Sequence, residues 1–310
     1  MQFLFWLESI RTPLCDAFFS LVTYLGDELV FLVIAFSLFW CFDKFFGYYI
    51  VSVGLVSTVF NQFLKLLCRV PRPWVLNPEL TTVGNSIEGA GGFSFPSGHT
   101  QNVTTTFGGI ALYTRKKPLT VICCVIIALV AFSRMYLGVH TPYDVLAGMA
   151  IAVALLFLQY AVIKKVKEKP SRMYILLGVM AVLSTAFLIY TECLPADYAS
   201  GIEGAWHNLA SGRKNAYKLL AATLGVLVCF FIDEKYVHFD TKAPVFGQIL
   251  KVCIGLALVV GTKEISKMAL VALFGQDNSF IVFSRYFLTI IVGCGIYPLT
   301  FPIFAKIGRK

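Results

Sequence analysis

Lys65 and Arg72, Ser97-Gly98-His99, Arg134, and His140 with Asp144 are the residues of this chain whose types and spacing could do chemistry. Together they form a set complete for phosphoryl transfer. Lys65, Arg72 and Arg134 can neutralise three phosphoryl oxygens, over which the transition state spreads its charge. Backbone N–H groups near Ser97 to His99, with the Ser97 hydroxyl, add directed donors. His140 can attack phosphorus, and Asp144, four residues on, can fix its tautomer and stabilise the imidazolium. His99 can then act as acid for the leaving oxygen and later as base for water. No cluster of carboxylates offers an octahedral Mg²⁺ site, so the expectation is chemistry without metal or cofactor.

Each residue alone has an ordinary reading. Lys65 can snorkel from a helix end, and Arg72 and Arg134 can touch lipid headgroups. Ser97 can cap a helix, and Pro142 suits a first helical turn. Ionisable side chains at membrane depth are costly, however, and five of them converging on one face exceed what snorkelling explains.

The elements that would carry these residues are apolar. Of 310 residues, 58% are hydrophobic and only 14% charged, with a net charge of +9. Soluble domains have roughly 45–50% apolar and about 25% charged residues, so an all-α, polytopic membrane protein is expected. The positive residues fall in short clusters between apolar runs, which fits lipid headgroups rather than nucleic acid. Apolar runs at about 28–42, 47–67, 98–114, 118–136, 141–163, 172–191, 216–232, 247–262 and 281–304 give about nine spans. Residues 1–24 read as an interfacial amphipathic segment, with Phe3, Trp6 and Leu7 dipping into lipid. No soluble domain fits. Residues 1–170 read as a core and 171–310 as a helical extension of about four spans.

Span parity orders the charges. Arg115-Lys116-Lys117, the lysines of 164–169, Lys235 and the Lys306–Lys310 end all follow odd-numbered spans, and lysine and arginine mark the cytoplasmic side. The candidate chemistry follows or opens on the other side, so an extracytoplasmic site in the cell membrane is expected. Arg213 and Lys214 run against that rule.

Lys65-x6-Arg72-Pro73, Pro96-Ser97-Gly98-His99 and Ser133-Arg134-x5-His140-x3-Asp144 resemble, in order and in full, the three signature motifs of the type 2 phosphatidic acid phosphatase superfamily. The resemblance covers residues near 60–150. It implies a six-helix core, a phosphohistidine on His140, acid–base work by His99, and phosphate binding by Lys65, Arg72, Ser97, Gly98 and Arg134. Membrane members of the superfamily act on phosphatidic acid, phosphatidylglycerol phosphate, sphingoid phosphates, polyprenyl diphosphates such as undecaprenyl diphosphate, and glucose 6-phosphate.

The motifs serve the phosphate and do not choose among these substrates. A site at the membrane edge favours a phosphorylated lipid whose tail stays in the bilayer. The alternatives are a water-soluble phosphomonoester, or a non-catalytic lipid-binding or transport protein, which would predict a broken motif. The stretch Leu25-Gly26-Asp27-Glu28 also resembles relatives acting on sphingoid and polyprenyl phosphates. Residues 192–215, with Glu192, Asp197, Glu203, Trp206 and His207, read as a loop on the outer face, and Cys68 and Cys193 as candidates for a disulfide across that face.

Overall fold

In hydrocarbon every backbone N–H and C=O must find its partner inside the chain, and a run of apolar residues does this only by coiling. The computed structural model describes residues 1–87, 89–195, 197–198, 205–275 and 278–307, without the side chains of 205 and 206, and these residues form helices and no strand. In chain order the helices are α1 (Gln2–Ser9), α2 (Pro13–Val22), α3 (Glu28–Cys41), α4 (Lys44–Cys68), α5 (Pro73–Leu76), α6 (Gly98–Val103), α7 (Gly109–Thr114), α8 (Lys117–Tyr136), α9 (Pro142–Glu168), α10 (Met173–Cys193), α11 (Ala205–Ile232), α12 (Val245–Phe274), α13 (Ser279–Ile290) and α14 (Phe301–Lys306). A 3-10 turn, Thr23–Gly26, leads into α3, and a π-turn, Thr104–Gly108, joins α6 to α7.

Among the described residues seven helical stretches are long and apolar enough to cross a bilayer, or eight if the bent pair Pro13–Gly26 and Glu28–Cys41 is one span. The chain is a multi-pass membrane protein. The count falls short of nine because α3 has only 14 residues, about 21 Å of helix against a hydrocarbon core of about 30 Å, and because the helix opening at Gly98 is broken by a π-turn. The stretch 192–215, read as an outer loop, is helix from Ala205 on, as α11, and the helix of the run 247–262, α12, extends well past that run to Phe274. Hydropathy marks only the part of a helix in lipid, and both helices continue through polar residues beyond it.

The contacts divide the chain into two compact units: Met1–Leu32, Val56–Ala161 and Ile189–Arg213 form one, and Val33–Leu55, Val162–Leu188 and Lys214–Lys310 the other. In the first unit, α2 lies against α8, with the Phe19 and Tyr136 rings 4.5 Å apart. Val22, Val103 and Val130 form a core under the turn at residue 23. Arg11 donates to the Tyr136 carbonyl at 3.1 and 2.9 Å and to the Thr81 carbonyl at 3.0 Å, tying the amino-terminal helices to the long loop before α6. Phe3 and Trp6 are exposed, as an interfacial segment requires, but Leu7 is fully buried against Leu4 and Leu80. The face that dips toward lipid is therefore narrower than expected, because α1 uses every third residue to pack inward.

The second unit has its own polar anchors. Trp40 donates its indole N–H to the Gly293 carbonyl at 2.9 Å, and buried Lys251 donates to the carbonyls of Trp40 and Thr241 at 3.2 and 2.9 Å. Lys44 pairs with buried Asp233 at 2.7 Å. All nine cysteines are free thiols, Cys68 and Cys193 included, so the disulfide considered above is not formed.

Candidate active site

The first unit brings the eight candidate residues to one end of its helices. Lys65 stands in the last turn of α4, Arg72 is the N-cap of α5, and Ser97 is the N-cap of α6. Arg134 lies in the last turn of α8, and Asp144 in the first turn of α9. His140 lies just before α9, where its N–H donates to the Arg134 carbonyl at 3.2 Å. Lys65, Arg72, Ser97, Arg134, His140 and Asp144 are each no more than 6% exposed.

Three consecutive carbonyls hold two of the cations. Arg72 donates to the Gly91 and Gly92 oxygens at 2.8 and 3.0 Å, and Lys65 donates to the Phe93 oxygen. Gly92 has φ +75, and Lys65 Cδ would stand 3.7 Å from a Cβ there, so the loop needs glycine to turn its carbonyls onto the cations. Arg134 donates to the Thr23 hydroxyl at 2.6 Å, while its buried Nε and Nη2 have no hydrogen-bond partner. None of the three cations forms an ion pair among the described residues. A buried charge whose protein partners are all neutral retains its attraction for an anion.

The carboxylates serve the histidines instead. Asp144 Oδ2 lies 3.5 Å from His140 Nδ1, and accepts from the Ser94 hydroxyl and the Thr141 N–H at 2.7 Å each. The Asp144 carbonyl accepts the Ser97 N–H at 2.9 Å, which joins the first turn of α9 to the cap of α6. Asp27 Oδ1 lies 2.8 Å from His99 Nε2. Burial above all, and then Arg72, Lys65, Arg134 and His99, push the His140 imidazole well below histidine's usual range. A neutral His140 is the form that can attack an electrophile.

A second layer holds the cradle from below. Asn61, one turn before Lys65 on α4, donates to the Pro96 carbonyl at 3.2 Å and to Gln101 Oε1 at 2.9 Å. Gln101 donates in turn to the Ser57 carbonyl and hydroxyl, each at 2.7 Å. Sequence reasoning passed over Asn61, Gln101, Ser94 and Thr23. The amides at least carried a signal, since a buried amide in an apolar span needs a partner. Within 192–215, Glu203 and the Trp206 side chain lie outside the described residues. Arg213, which runs against the charge rule, donates to the Thr191 and Leu194 carbonyls at 3.1 and 3.2 Å. Among the described residues no group of three or more His, Cys, Asp or Glu side chains stands together as metal ligands would.

A multi-pass helical protein with two carboxylate-paired histidines and three unpaired cations buried at one end of its helices is the class that this geometry defines. Residues 45–168 match the PAP2 superfamily, and residues 217–308 match the transmembrane extension of PAP2 superfamily phosphatases. The chain is 32% identical to phosphatidylglycerophosphatase B of Bacillus subtilis over 37% of its own length and 60% of the relative's. It is 30% identical to lipid A 4'-phosphatase of Bacteroides thetaiotaomicron over 48% of its length and 70% of the relative's. Sphingosine-1-phosphate phosphatase 1 of Mus musculus is 26% identical over 80% of this chain and 59% of the relative. This chain therefore belongs to the PAP2 superfamily, although it spans only about 60% of the Bacillus and mouse relatives.

Proposed function

We propose that this protein is an integral membrane phosphatase that hydrolyses a lipid phosphate or polyprenyl diphosphate through a phosphohistidine on His140. The observation that carries the reading is the ring of three buried cations, each held by neutral oxygens, around a neutral imidazole. Such a ring favours a phosphoryl group over water or a carboxylate, because only a dense anion compensates three desolvated charges.

The chemistry proceeds in two displacements. His140 Nε2 gives its electron pair to phosphorus, the bond from phosphorus to the leaving oxygen breaks, and protonated His99 gives that oxygen a proton. Asp144 stabilises the resulting imidazolium. Neutral His99 then takes a proton from water, the water oxygen bonds to phosphorus, and the N–P bond breaks with its pair returning to His140. Lys65, Arg72, Ser97, Gly98 and Arg134 hold the phosphoryl oxygens throughout. No step draws on a metal.

The site is assigned to the extracytoplasmic side. α8 is 20 residues long, about 30 Å, and begins beside Arg115, Lys116 and Lys117, whereas Arg134 stands in its last turn. α9 has Lys165 and Lys167 in its last turn and Asp144 in its first. Basic residues thus gather at the ends opposite the chemistry. The relatives' names point to lipid phosphates, and we assign the chemistry to residues 1–170, with 171–310 as an extension.

The test is phosphate release by the purified protein, with EDTA present, from phosphatidic acid, phosphatidylglycerol phosphate, a sphingoid phosphate, undecaprenyl diphosphate and glucose 6-phosphate. Turnover of one or more lipids, abolished by His140→Ala, is expected. Turnover of glucose 6-phosphate alone, loss of activity in EDTA, or activity retained by His140→Ala would overturn the reading.

A further inference from the structure

The geometry points to Asp27 as a positioning residue that makes His99 an effective general acid. It lies outside residues 45–168, where the family match falls. The inference rests on the phosphohistidine reading above.

Asp27 Oδ1 stands 2.8 Å from His99 Nε2, the shortest carboxylate–imidazole approach among the described ion pairs. Asp144 approaches His140 only to 3.5 Å. A carboxylate is acceptor-only when ionised, so Nε2 carries the proton in that pair. Nδ1 is then the nitrogen that exchanges a proton with substrate. When His99 is protonated, the same carboxylate faces a full positive charge and stabilises it. Burial above all, and then Arg134, pull the His99 imidazole down to about 4, and Asp27 is the group that acts in the opposite direction, toward the protonated form the first displacement needs.

The turn before Asp27 is built to hold this approach. Gly26 packs so tightly that a Cβ there would stand 3.0 Å from the His99 carbonyl oxygen and 3.1 Å from the His99 Cβ. Asn102, one turn beyond His99, donates to the Gly26 carbonyl at 2.9 Å. Thr23, at the start of the same turn, accepts from Arg134 Nη1 at 2.6 Å. Three independent contacts thus fix residues 23–27 against the acid–base histidine and one phosphate-binding arginine.

In the first displacement His140 Nε2 forms the bond to phosphorus, the leaving oxygen departs with its electron pair, and the proton on His99 Nδ1 passes to that oxygen. Asp27 remains hydrogen-bonded to Nε2–H and is not itself protonated. Its removal should therefore matter in proportion to how badly the leaving oxygen needs a proton. An alkoxide needs one, and p-nitrophenolate does not.

The experiment compares Asp27→Asn with the unaltered protein on dodecyl phosphate and p-nitrophenyl phosphate. The expected kcat falls by about 100-fold on the alkyl ester and by less than about 5-fold on the aryl ester, as loss of general-acid assistance requires. Asn102→Ala, which loosens the turn but keeps the carboxylate, should lower both rates by a similar factor. An equal fall on both esters for Asp27→Asn, or no fall on either, would overturn the assignment. If Asp27→Asn does not fold, Asp27→Glu carries the same ratio test. His140→Ala separates the two claims: turnover retained there sinks the phosphohistidine reading, whatever Asp27 does.

Discussion

Arg72 Nη1 lies 2.9 Å from His140 Nε2. Arginine has only donors, so Nε2 of a neutral His140 must accept, and the ring proton sits on Nδ1, facing Asp144 Oδ2 and Ser94 Oγ, each at 3.5 Å. The lone pair proposed to attack phosphorus is thus already oriented by a cation proposed to bind the phosphate. An arriving anion would draw the guanidinium toward itself and release the nitrogen.

One consequence concerns pH. Burial, and then Arg72, Lys65, Arg134 and His99, lower the His140 affinity for protons. A lowered value means that the neutral, attacking form persists below about 6.5, the ordinary histidine range. The acid limb of phosphoenzyme formation, read from the pre-steady-state burst, should therefore lie below that range. Arg72→Gln removes the neighbouring charge that opposes protonation most and should move the limb upward. A limb at or above the ordinary value in the unaltered protein would contradict this.

Ser94 donates to Asp144 Oδ2 at 2.7 Å in a fully buried position. Removing a hydrogen bond to a charged group costs about 1.5–3 kcal/mol, so Ser94→Ala should lower kcat by roughly 10- to 100-fold. The Michaelis constant should change little, because the hydroxyl is bonded to the carboxylate rather than to a phosphate-binding cation. Steady-state kinetics on one lipid substrate checks both numbers.

Arg134 has two buried N–H groups, Nε and Nη2, without partners. Lysine keeps the charge but loses the planar fork. Arg134→Lys should therefore weaken competitive inhibition by inorganic phosphate by about 10-fold or more, while the protein folds as before. Unchanged inhibition would show that those donors do not face the anion.

A Cβ on Gly148 would stand 2.7 Å from the Ser97 carbonyl oxygen. Gly148→Ala must push α9 away from the cap of α6, with a destabilisation of about 1–3 kcal/mol. The melting temperature in detergent should fall, and turnover should fall with it, since the Ser97–Asp144 backbone bond spans the same seam.

Much of the site was legible in the sequence because its charged residues sit in apolar runs, where they stand out. Lys65, Arg72, Arg134, His99, His140 and Asp144 could be grouped toward one membrane face by span parity alone. The atoms that hold them were not legible. The Gly91, Gly92 and Phe93 carbonyls carry no side-chain signal, and a glycine loop says only that the backbone is free to turn. Asp27 was visible as a residue but lacked a partner, since nothing in local spacing joins it to His99. The helix ends misled for a related reason. In α11 and α12 the hydrogen-bond ladder runs on through polar residues, so the apolar run underreports the helix.

The most direct test is to quench turnover of a radiolabelled lipid phosphate within the first catalytic cycle and map the label. The expected result is an acid-labile phosphoryl group on His140, formed at the burst rate and absent from His140→Ala. Label on another residue, or burst-rate turnover with no labelled protein, would contradict a nucleophilic His140.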